Sequence, residues 1–74
     1  MDDIRKELHI GACIKAELER QGKTTVWLAE KLGYNRTSVY KLYNNPTLDS
    51  GLLFRVSCIM HFDFFKLYTK KLRG

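Results

Sequence analysis

The chain has 74 residues, 45% of them hydrophobic, with a formal charge of +5 and a pI of about 9.4. A chain of this length makes one small domain that buries only about 60% of its unfolded surface, so its large apolar residues are committed to a single core. No run approaches the roughly 18 apolar residues of a membrane span, and the acidic opening MDDIRKEL lacks the basic flank and apolar stretch of a signal peptide, which points to a cytoplasmic protein. The positive balance favours a polyanionic partner.

Residues 1–8 read as a polar arm. In HIGACIKAELERQG, Ile10, Cys13, Ile14 and Leu18 recur at helical spacing, with Lys15, Glu17, Glu19 and Arg20 outside, and Gly22 supplies the left-handed position that ends a helix. Thr24 or Thr25 can cap a second helix in which Thr25, Leu28, Ala29 and Leu32 share a face, and Gly33 stops it after two to three turns. Asn35 can cap a third helix whose Val39 and Leu42 point inward. Asn44, Asn45 and Pro46 make a turn, because the residue before proline is pushed out of the helical region and asparagine tolerates turn geometry.

Thr47 or Asp49 then caps a fourth helix with Leu52, Leu53, Val56, Ile59 and Met60 inward. Asp63 can cap a short fifth carrying Phe64, Phe65, Leu67 and Tyr68. The β-branched residues are scattered and no alternating run of useful length exists, so the expected fold is all-α with five helices. The domain is expected over residues 9–69, followed by a basic tail at 70–74. Lys66, Lys70, Lys71 and Arg73 suit a solubilising tail, or one adding phosphate contacts, better than a membrane-surface helix.

Helices two and three are short, joined tightly through a glycine, and apolar on one side only. Two such helices cross steeply, which is the helix-turn-helix arrangement. Ala29 has to be small there, and Gly33 has to turn with positive φ. The run TVWLAEKLGYNRTSVYKLYN, residues 25–44, resembles the helix-turn-helix of the phage repressor and Cro proteins, the xenobiotic response element family. It matches their pattern at Leu28, Ala29, Leu32, Gly33, Val39 and Leu42, and the five-helix reading extends the resemblance over roughly residues 9–68. Trp27 and Tyr34 depart from it, as does the segment HFDFFKLY.

With Val39 and Leu42 inward, a step of about 100° per residue sends Thr37, Tyr40, Lys41 and Asn44 outward, and Arg36 lies at the helix start, whose counterpart in this motif reaches base edges. Arg36 and Lys41 can donate to guanine O6 and N7. Thr37 offers a hydroxyl and a methyl, and Tyr40 a ring and a hydroxyl. Thr25 resembles the family position that holds a phosphate, with Ser38, Asn44 and Asn45 as further phosphate candidates. A solvated helix face is the plainer alternative for Arg36 and Lys41, and Tyr40 can fold back onto the domain.

Trp27 falls away from Leu28 and Leu32, where packing, a partner interface and the DNA backbone compete to explain it. Phe65 and Tyr68 read as core, or as packing across a dimer, and with Trp27 are the interface candidates. Cys13 and Cys58 stand alone in apolar patterns and read as two buried reduced thiols. His9 and His61 read as cap or surface residues. No nucleophile with a base, carboxylate pair, phosphate-cradling loop or metal spacing argues for an enzyme, so no cofactor, metal or small-molecule effector is expected.

The resemblance therefore implies a transcriptional regulator that binds double-stranded DNA sequence-specifically as a homodimer, with no membrane partner. The alternative is a protein-interaction module of the same fold, such as an antitoxin or corepressor partner, docking through Trp27 and the C-terminal aromatics.

Overall fold

The computed structural model describes residues 8–73, and among them the chain forms helices only: α1 (Ile10–Arg20), α2 (Thr25–Leu32), α3 (Arg36–Tyr43), α4 (Ser50–Met60) and α5 (Phe65–Arg73). The expected polar arm lies, but for Leu8, outside the described residues. Among those residues no helix is long and apolar enough to cross a membrane.

Each helix start has a side chain that takes one of its orphan amides. His9 Nδ1 accepts from the Ala12 N–H (3.1 Å), Asn35 Oδ1 from Ser38 (2.8 Å) and Asp63 Oδ1 from Phe65 (3.0 Å). Of the pairs left open by sequence, Thr24 caps α2 through Trp27 (3.0 Å) and Asp49 caps α4 through Leu52 (2.8 Å).

Three helix ends share one geometry, in which a left-handed residue lets the following amide reach back five residues. Gly22 (φ 73°) precedes a bond from Lys23 N–H to the Leu18 carbonyl (3.0 Å), and Gly33 (φ 75°) one from Tyr34 to Ala29 (2.9 Å). At the end of α4 the left-handed residue is His61 (φ 52°), followed by Phe62 N–H to Ser57 (3.1 Å). Arg55 on α4 donates to the Leu32 carbonyl (3.0 Å), placing a cation at the negative end of α2.

The core takes Ile10, Ile14 and Leu18 from α1, Leu28, Ala29 and Leu32 from α2, and Val39, Leu42 and Tyr43 from α3. Leu53, Val56 and Met60 from α4 complete it with Phe64, which is fully buried just ahead of α5. Leu52 and Ile59 are half-buried at its edge. Helix α2 packs against α3 and α4, while α1 lies on α3. The first two amides of α1 are satisfied by the turn after α3: Ile10 N–H donates to the Pro46 carbonyl (2.9 Å) and Gly11 N–H to that of Asn45 (3.0 Å). Helix α5 buries no residue completely and continues through Lys70 and Lys71 to Arg73.

Two expectations are corrected here. Glu17, expected outside, is buried, because it lies about two helical turns beyond Ile10 and hence on the apolar face. Its carboxylate is matched by Arg20, through Nε (2.8 Å) and Nη2, and by Gln21 Nε2 (2.8 Å), which also donates to the Met60 carbonyl (3.0 Å) and so ties α1 to the end of α4. The thiols are not both buried: Cys13 is half-buried, and burial pushes its thiol up, whereas Cys58 is exposed. With Val56 and Met60 inward, position 58 falls on the outer side of α4.

The Glu17 pairing has a signature in acid. The Arg20 hydrogen bond holds the carboxyl down at about 2 against the opposing effect of burial. A carboxyl held low in the folded chain stabilises it above the unfolded value of 4.5, and that contribution is lost as pH falls through about 2. Glu17→Gln is expected to melt several degrees lower at neutral pH, and its melting curve to converge on that of the native chain between pH 4.5 and 2. Thermal unfolding across that range checks this, and a gap that stays constant would mean that the ionised carboxylate contributes nothing.

Candidate nucleic-acid interface

The joint between α2 and α3 is two residues long beyond Gly33, and both its ends are fixed locally, by the Gly33 reversal and the Asn35 cap. This rigid joint presents one face of α3 to solvent. Arg36, Thr37, Tyr40, Lys41 and Asn44 are all exposed, and among the described residues none of their side chains makes a hydrogen bond or ion pair within the fold. The base-contact candidates therefore form one open row.

The phosphate candidates are more divided. Asn44 and Asn45 are exposed at the end of α3, and the Asn45 carbonyl is already taken by Gly11, so its side chain alone is available. Ser38 is half-buried, with its amide donated to Asn35. Thr25 is half-buried, and its hydroxyl lies 3.0 Å from that of Tyr43. This bond connects the start of α2 to the end of α3, so a phosphate at Thr25 would meet a hydroxyl whose position Tyr43 sets.

Sequence reasoning missed three residues near this face. Tyr43 is only 7% exposed and turns its hydroxyl to Thr25, and burial above all pushes its phenol up. Its signal was present, since position 43 is four residues after Val39 and hence on the inward stripe. The Tyr40 ring stands edge-on to it, centroids 6.1 Å apart at 73°, yet Tyr40 stays 53% exposed, so it leans on the domain without being absorbed by it. His9, the cap of α1, and Lys15 on α1 join Tyr40, Tyr43 and Asn44 around a concavity of about 400 Å³. Only the packing of α1 on α3 brings them there, and nothing in the α3 pattern announces it.

The three interface candidates divide between surfaces. Trp27 is half-buried beside α4, with Lys23 Nζ 5.0 Å from its ring centroid. Phe65 is 38% exposed and lines an apolar concavity with Phe54 and Phe62, and Tyr68 is half-buried against the core. Comparison of the chain with protein families, curated proteins and solved structures gives no match.

Proposed function

We propose that this chain is a sequence-specific DNA-binding transcriptional regulator that uses α2 and α3 as a helix-turn-helix, as its resemblance to the phage repressor and Cro proteins implies. The observation that carries the reading is the open row on α3. Arg36, Thr37 and Lys41 are exposed with no side-chain hydrogen bond or ion pair within the fold among the described residues, Tyr40 adds only an edge contact with Tyr43, and together they offer donors, acceptors and a methyl to base edges. In this reading α3 enters the major groove, the start of α2 and the Asn44–Asn45 turn meet phosphates, and a homodimer places two copies of α3 on half-sites about 34 Å apart. Lys15, on the same side as Tyr40 and Asn44, adds a phosphate contact from α1.

Selection of bound sequences from a random duplex pool, at low and at moderate salt, tests the proposal. The expected result is a short two-fold motif whose affinity falls with salt at a slope of about 0.9 log units per phosphate neutralised. Binding with no enriched motif would overturn sequence specificity, and no binding at low salt would overturn DNA as the partner.

A further inference from the structure

Trp27, the chain's single tryptophan, is held on a surface separate from the α3 row. It lies in a groove of about 450 Å³ where the α1–α2 turn and the outer side of α2 meet the end of α4. Lys23, in the turn ahead of α2, and Lys31, one helical turn beyond Trp27 on α2, flank it. Lys23 already lies over the indole. Ile59 and His61 close the α4 side, and no carboxylate lines the groove among the described residues. Two lysines thus bracket an incompletely covered indole with no anion of their own between them.

The groove does not end there. Cys58 lines it and also lines the neighbouring, mostly apolar concavity of about 280 Å³, where Phe54, 62% exposed, meets Phe62 and Phe65 beside the carboxylate of Asp63, whose Oδ1 accepts from the Phe65 amide. A cationic aromatic groove adjoining an apolar recess calls for a ligand with carboxylates beside an apolar side chain. The backbone of a nucleic-acid duplex, whose bases are paired and stacked inside, would satisfy the lysines and leave the phenylalanines wet. We propose that this surface docks an acidic segment of another protein, its carboxylates on Lys23 and Lys31 and its apolar anchor between Phe54 and Phe65. Charge complementarity selects the partner, and the apolar recess holds it.

The test is a selection of peptides from a random displayed library on the immobilised full chain, followed by titration of Trp-free synthetic versions while Trp27 emission is read. Enrichment of Asp and Glu around a Phe or Leu, with a saturable shift of the emission, is expected. Lys23→Gln with Lys31→Gln, two exposed positions, is expected to weaken binding by about tenfold or more. An Arg36→Ala, Lys41→Ala variant is expected to bind the peptides unchanged, so this result stands or falls apart from the DNA reading. The proposal is overturned if no acidic sequence is enriched, or if the enriched peptides ignore the lysine substitutions. It is also overturned if a short random-sequence duplex displaces them and reproduces the lysine-dependent shift, which would assign the groove to nucleic acid.

Discussion

Gly11→Ala is expected to be the most damaging single methyl that can be added to this protein. A Cβ at position 11 would lie 2.5 Å from the Tyr43 carbonyl oxygen and 2.6 Å from that of Asn45, and would press on that of Leu42 as well. These are backbone atoms at the end of α3, and they cannot rotate away as a side chain could. In an open helix the same change would help, since alanine is favoured over glycine by about 1 kcal/mol. Here the contact decides the sign: overpacking of this kind costs about 1–3 kcal/mol. Pushing α1 off the turn also lengthens the two hydrogen bonds from Ile10 and Gly11, each worth about 1 kcal/mol. A net loss of about 3 kcal/mol would lower the melting temperature by roughly 15 °C in a domain of this size. Thermal unfolding followed by circular dichroism measures it, and a melting temperature equal to that of the native chain would show that α1 does not need this close approach.

Arg36→Ala is expected to act the other way, leaving the fold intact while disabling the proposed function. Arg36 is exposed at the first position of α3, so its loss should change stability by less than about 0.5 kcal/mol. A guanidinium bidentate to a guanine contributes about 1–3 kcal/mol of discrimination, so affinity for the selected motif should fall about tenfold to a hundredfold, with preference relaxed at one base pair. Asn45→Ala, which removes only a phosphate candidate, should instead weaken all duplexes alike. Binding isotherms on the selected motif and its single-base variants separate the two. Unchanged affinity and preference in the Arg36 variant would remove that residue from the recognition row.

The residues alone declare what short-range chemistry decides. The cap at Asn35 and the stops at Gly22 and Gly33 each rest on one residue acting on its own neighbours, and these locate the α2–α3 pair and hence the outward row of α3. Where two capping residues stood close together, as Thr24 with Thr25 and Thr47 with Asp49, propensity could not rank them, and the geometry chose the one whose oxygen meets the third amide on. Glu17 was misplaced because its charge outweighed its position in the reading, although its spacing from Ile10 was that of a core residue. Lys15 and His9 were out of reach for a different reason: their place beside Asn44 depends on α1 meeting the end of α3, a contact between segments more than a quarter of the chain apart. Gly11 gave no warning at all, since a glycine in a helix is weak by propensity and becomes indispensable only when another backbone approaches it.

The tie between α1 and the turn after α3 is made by main-chain atoms at both ends, two amides to two carbonyls. Such a tie is blind to the identity of the residue supplying the oxygen. The side chain at 45, whose carbonyl takes the Gly11 amide, can therefore be exchanged for others with little consequence for the frame, and under the proposed function the turn becomes a place where the strength of phosphate contact can be adjusted by substitution while the scaffold stays as it is.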